Sequence, residues 1–271
     1  ALSLVGSEMC IRDRSYRGYS IEELAQKSTF EETSYLLLFG ELPTSDQLKK
    51  FTSKVSQYRD LPEELVLILK ALPKHTRPMD VLQMAVSSLG TFYDLEVNPE
   101  KVKGKEYNDE YFSNTSATLI GALGSIVAAW HRIRNGDEPI SSKPDCTYAE
   151  NFLHILGAEN ITPLMTRIMD ATLVLHGEHT INASTFTAMV TSSTLANASQ
   201  VVASAIGSLS GPLHGGANEK VIAMLQKIES KEEIRPWLDE TLKAKNVVWG
   251  MGHREYSVKD PRANILTDMV Q

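Results

Sequence analysis

Apolar residues recur at intervals of three and four through nearly the whole chain, which commits it to helices packed on helices. Met79, Leu82, Val86 and Leu89 share one helical face. Leu65, Ile68, Leu69 and Leu72 form a second stripe, and Leu164, Ile168, Ala171 and Leu175 a third. Breakers stand between the stripes: Gly40 to Pro43, Pro62, Pro73, Pro78, Asn135-Gly136, Pro139, Pro144 and Gly211-Pro212. No set of alternating apolar and polar runs offers material for a sheet. The expected fold class is all-α.

One stretch departs from the ordinary amphipathic pattern. From Ala183 to Ser210 the helical positions are filled largely by Ala, Ser, Thr and Gly. Small side chains let helices approach closely, so this segment is expected to be buried against other helices, in the core or at a subunit interface. Gly211-Pro212 must then interrupt a helix, which makes Ser210 to Gly216 the best candidate boundary. Beyond it Ala217, Val221, Met224, Leu225 and Ile228 restart an amphipathic face.

Composition excludes several partners. The net charge is -7 with no basic run, whereas a nucleic-acid surface needs a basic stripe to neutralise phosphates. An anionic ligand would have to be gripped by a few local cations. Cys10 and Cys146 are the only cysteines, too few for a disulfide framework, and a reducing, cytoplasmic setting is expected. The longest apolar stretch, Ala117 to Trp130, falls short of the roughly 18 residues of a membrane span, so no membrane partner is expected. At the N-terminus, Ser3 to Arg14 (SLVGSEMCIRDR) resembles translated sequencing adaptor, and residues 1–14 are expected to be a non-native leader. The last residue, Gln271, falls inside a helical pattern.

The histidines divide into two groups. His75, His131 and His154 sit beside charges or inside helical patterns, where structural or solvated roles are expected. His176 and His179 are three apart, so on a continuous helix they share a face. With Glu178 they could begin a zinc site, but the spacing is not the i, i+4 pair of helical zinc proteases, and no metal is expected. His214 lies in GPLHGGANE, at a tight turn opening a helix. Exposed N–H groups there disfavour an imidazolium, so a neutral imidazole donating to a carbonyl is the expected species. Gly215 and Gly216 point to close approach of a ligand to the backbone. His253 lies in GMGHREYSVKDPR, where Arg254, Lys259 and Arg262 gather cations into an acidic chain. Together these features describe an enzyme that polarises carbonyls while holding carboxylates or phosphates.

These motifs resemble those of the citrate synthase family. GPLHGGANE and GMGHREYSVKDPR match its two signature histidine segments, and LHGEHTINAST matches the third. YRGYSIEELA, LLFGELPT, RPMDVLQMAVSSLG and RNGDEPI follow in the family's order, so that the resemblance runs from Tyr16 to the end. It implies a helical homodimer with a large domain, here residues 15–210, and the start of a small domain, residues 211–271. It also implies condensation of acetyl-CoA with oxaloacetate, then hydrolysis of the citryl-CoA thioester, without metal or cofactor. His214 would hydrogen-bond the thioester carbonyl, and His253 the ketone of oxaloacetate. His179 and Arg262 would bind oxaloacetate, while Leu213, Val247, Gly250, Met251 and Gly252 would contact CoA.

Two departures accompany the resemblance. The landmark reading His-Pro-Met in many relatives is Arg77-Pro78-Met79 here, and Arg77 carries no assigned role. The family's catalytic aspartate lies beyond the second signature histidine, past Gln271, so the 271 residues alone are expected to be inactive. The nearest rival reading is a 2-methylcitrate synthase using propionyl-CoA, since one methylene in an apolar pocket is worth only ~1–3 kcal/mol. A helical binding protein with incidental histidines would leave the glycine-flanked histidines unexplained.

Overall fold

The computed structural model describes residues 15–178, 181–251 and 261–270, without the side chains of 105–107, 217, 261 and 270. The expected leader, 1–14, lies outside the described residues. A hairpin of β1 (Ser15–Tyr16) and β2 (Tyr19–Ser20) is followed by α1 (Ile21–Lys27), α2 (Phe30–Phe39), α3 (Ser45–Ser56), α4 (Glu63–Ala71) and α5 (Pro78–Ser88). Then come α6 (Lys105–Asn135), α7 (Tyr148–Leu156), α8 (Pro163–Leu175), α9 (Ala183–Ser192), α10 (Ala198–Leu209), α11 (Ala217–Leu225), α12 (Lys231–Lys243) and α13 (Pro261–Val270). The fold is helical as expected, with the hairpin an addition. Its strands are two residues long, too short to leave an alternating pattern. The turn places both Arg17 (φ 52) and Gly18 (φ 93) at positive φ, the geometry that lets two residues reverse an antiparallel pair.

Local signals account for the helix ends. Thr29 and Thr44 form capping boxes with Glu32 and Gln47, satisfying N–H groups that a helix start leaves open. Gly40, Gly136 and Gly157 close α2, α6 and α7 in the left-handed conformation. Pro78 and Pro163 sit in first turns, where a missing N–H costs nothing.

Helix α6 is the axis of the body. It runs well past Ala117–Trp130, and its Asn108–Asn135 stretch is by length and composition long and apolar enough to cross a membrane. Most of that stretch is covered by protein, however: α6 packs on α3, α4, α5 and α7. On one side Leu65, Leu69, Val86, Leu89, Ile126 and Ala203 join in the largest cluster. On the other, Phe51, Val55, Ala117 and Tyr148 pack together. A third cluster gathers Tyr16, Ile21, Leu24, Leu36, Val174, Leu175 and Ile265. Each fully buried leucine in such a cluster contributes about 1.5–3 kcal/mol of transfer free energy.

The stripes are narrower than their periodicity implied. Leu65 and Leu69 are buried, but Ile68 is 41% exposed, because α4 turns one face only to α5 and α6. Leu164 is exposed in the first turn of α8, ahead of the helix's packed length. Between Ala183 and Ser210 the expected burial holds for α10, where Ser199, Ala203 and Ile206 are covered. Helix α9 packs on α10 but has no buried residue within the single chain, and leaves Phe186, Met189 and Val190 exposed.

Two buried carboxylates fix helix starts in the body. Glu31 Oε1 accepts the N–H of Tyr148 at 2.6 Å, at the first residue of α7. Asp170 Oδ1 accepts the N–H of Phe30 at 2.9 Å, at the first residue of α2. Negative charge there complements the helix dipole. Arg59, 1% exposed, lies 3.8 Å from Glu31 and donates to the carbonyl of Cys146 at 3.0 Å. Burial nevertheless dominates, and pushes the carboxyls of Glu31 and Asp170 above the usual carboxylate range. The same burial pushes the Tyr148 phenol up to about 12.

Candidate active site

Helix α10 ends at Leu209, and the chain turns through Ser210 to Gly216 before α11 begins. The N–H of His214 donates to Gly211 O at 3.0 Å, and that of Gly215 to Leu209 O at 3.0 Å, folding the loop back on the end of α10. This explains the flanking glycines differently from the expectation. A Cβ on Gly215 would overlap the Leu209 carbonyl oxygen, and one on Gly216 would sit 2.9 Å from Pro212 Cα. The chain itself makes a close approach at both glycines. The Arg77 guanidinium donates to Ser210 O at 3.4 Å, so this departure from the landmark stands beside the loop that carries His214.

The ring of His214 is held by a residue that sequence reasoning missed. Its Nε2 lies 2.8 Å from Ser184 Oγ. Asn182 caps α9 and accepts the N–H of Thr185 at 2.9 Å, which fixes Ser184 in the first turn. Thr191 Oγ1 meets Ser204 Oγ at 2.9 Å and ties α9 to α10. A serine inside a run of small residues gave no hint of this pairing.

The second histidine segment begins where α8 ends. His176 is the C-cap of that helix, with φ -103 and ψ 4, so it lies at the helix end and not on a continuing helical face. The His176 ring Nδ1 donates to Thr172 O at 2.6 Å. The following turn is clamped from the hairpin: the Glu178 N–H donates to Tyr16 Oη at 3.3 Å, and that hydroxyl donates to Glu178 O at 3.3 Å. His179, His253 and Gly252 lie outside the described residues. Arg262 is half-buried in the first turn of α13. That helix packs on α1 and α8 through Ile265, Leu266 and Met269, in the cluster that includes Tyr16, Val174 and Leu175. Arg262 and the turn leading to His179 are thus based on one cluster.

The described residues assigned to CoA are open. Leu213, Val247 and Met251 are all exposed, and Gly250 adopts φ 86, which explains its glycine by backbone conformation. Val247 lines a cleft of about 330 Å³ between α11 and α12, with Lys220, Lys227, Trp237 and Trp249 also on its walls. The Lys220 ammonium stands 4.2 Å from the centre of the Trp249 ring, a cation–π contact. Leu213, Gly250 and Met251 are not on those walls. His75 and His131 are exposed. No group of three or more His, Cys, Asp or Glu side chains capable of holding a metal occurs among the described residues.

Comparison with known proteins bears on the whole chain. The family model for the citrate synthase C-terminal domain matches residues 2–271. A citrate synthase of Acidithiobacillus ferridurans is 43% identical over 257 residues, 95% of this chain and 66% of that protein. A 2-methylcitrate synthase of Shewanella oneidensis is 38% identical, over 94% of this chain and 65% of that protein. The chain therefore spans just under two thirds of the length of these relatives. Among solved structures, the citrate synthase of Thermoplasma acidophilum in ternary complex with carboxymethyl coenzyme A and oxaloacetate aligns with a TM-score of 0.80. It is 27% identical, and the alignment covers 96% of this chain and 68% of that one.

Proposed function

The chain belongs to the citrate synthase family, and from that premise we propose that the protein condenses acetyl-CoA with oxaloacetate to give citrate and CoA. The observation that carries the reading is the Ser184–His214 pair. If the serine hydroxyl donates to Nε2, the ring proton sits on Nδ1, which is then a donor for the thioester carbonyl. Loss of the methyl proton puts negative charge on that oxygen, so a preplaced donor lowers the barrier. The enol carbon attacks the ketone carbon of oxaloacetate, and His253 supplies a proton to the ketone oxygen. Water then cleaves the thioester, releasing citrate and CoA. His179 and Arg262 hold oxaloacetate, and the segment from Val247 to Gly252, with Leu213, contacts CoA. Closure of residues 211–271 on the body would keep water out until the carbon–carbon bond has formed.

The exposed Phe186, Met189 and Val190 on α9 fit a second copy of the chain, as in a homodimer; light scattering would measure its mass. The methyl proton needs a positioned base. We assign it, by the family's pattern, to an aspartate that follows the second signature histidine segment. The test is CoA release from acetyl-CoA and oxaloacetate by this chain and by a version extended with a relative's C-terminal region. Turnover by the extended form alone is expected. Robust turnover by the unextended chain would show the base to be misplaced, and silence from both would contradict the function. A kcat/KM with propionyl-CoA above that with acetyl-CoA would move the assignment to 2-methylcitrate synthase.

A further inference from the structure

We infer that Tyr16 is a positioning residue for oxaloacetate, holding the turn from which His179 follows; this rests on the role proposed for His179. The motif YRGYSIEELA has no part in the chemistry above, yet it occupies a decisive place. Tyr16 is 3% exposed, with its ring in the cluster that joins α1, α2, α8 and α13. Its hydroxyl both donates to Glu178 O and accepts from Glu178 N, at 3.3 Å each. One phenol thereby fixes both ends of the residue immediately before His179.

The rest of the turn is equally confined. A Cβ on Gly177 would stand 3.1 Å from Leu37 Cδ1, 3.2 Å from Val174 O and 3.6 Å from Tyr16 Cε2, so the backbone lies flat against the two side chains. The phenol in turn has little freedom. Tyr16 pairs with Tyr19 across a two-residue turn, and Arg17 Nη2 donates to Leu37 O at 3.2 Å, anchoring the turn to α2. Ser20 then caps α1, accepting the Glu23 N–H at 3.1 Å. Since α13 with Arg262 packs into the same cluster, Tyr16 links the helix that carries Arg262 to the residue before His179. A hydrogen-bonded support of this kind orients a binding group without touching the ligand.

The test is Tyr16→Phe, which removes the hydroxyl and keeps the ring, in whichever form of the protein turns over. A neutral hydrogen bond carries a net ~0.5–1.5 kcal/mol, so the KM for oxaloacetate is expected to rise about two- to tenfold. The KM for acetyl-CoA and the melting temperature should hardly move. In a His179→Ala background the same substitution should add no further loss, because the two act as one unit. An unmoved oxaloacetate KM, an equal rise for both substrates, or full additivity with His179→Ala would overturn the inference alone. No oxaloacetate-dependent turnover in the unsubstituted protein would overturn the proposed function together with it.

Discussion

The stretch from Tyr16 to Leu175 and the stretch from Ile181 to Met251 are written in the same helical periodicity, but they bury it very differently. In the first, every helix contributes buried residues and three clusters form. In the second, only Ser199, Ala203 and Ile206 are buried among the described residues, all on α10. Helix α12 has no buried residue, and Ile222, Leu225, Ile234 and Leu242 lie exposed along α11 and α12. Yet His214 and Ser184 belong to this open stretch, as do Leu213, Val247, Gly250 and Met251, which were assigned to CoA. The residues assigned to oxaloacetate rest on the packed body through α8 and α13, whereas those assigned to the thioester and CoA lie on a looser segment of exposed loops.

The largest test of this contrast sets Leu69→Ala against Leu242→Ala. Leu69 is fully buried and Leu242 is 57% exposed. Urea denaturation should show a loss of about 2–5 kcal/mol for the first and within about 0.5 kcal/mol for the second. Equal losses would mean that α12 is packed as firmly as the body. A smaller effect separates the caps. Thr29 closes a capping box on α2, while Ser230 makes no side-chain hydrogen bond at α12. Thr29→Ala should cost ~1 kcal/mol and Ser230→Ala almost nothing, read from the same denaturation curves.

The least effect is a slope with pH. Burial raises the Glu31 carboxyl above its ordinary 4.5, outweighing the Tyr148 N–H and Arg59. A group whose folded pKa is raised holds its proton longer in the folded chain. Its stabilising contribution is therefore complete below the unfolded value and is lost as pH rises through the folded one. Denaturation midpoints of the parent chain, taken relative to Glu31→Gln, should fall as pH rises above 4.5. A difference that grows with pH would reverse the sign assigned to burial.

How far the sequence announced this depended on whether a signal was local. The end of α2 was legible because Gly40 closes it locally in the left-handed conformation. The break at Gly211-Pro212 was legible for the same reason. The coverage of a helix face was not, because periodicity says that Phe186 and Met189 share α9 with small residues but not what lies opposite. His214 stood out through its glycines, although the structure gives those glycines to the Leu209 carbonyl and Pro212. Ser184 and Tyr16 were invisible as partners of His214 and Glu178 because each contact spans 30 or 162 positions. The hairpin escaped because two residues per strand leave no period to detect.

The central claim is that His214 works on the substrate from the open stretch and contributes little to stability. Its most direct test is His214→Ala in the form of the protein that turns over, with rate and melting temperature measured on one preparation. Removing a donor to the developing oxyanion should slow CoA release by about a hundred- to a thousandfold, with the melting temperature essentially unmoved. An unchanged rate, or a loss of rate matched by unfolding, would contradict the account.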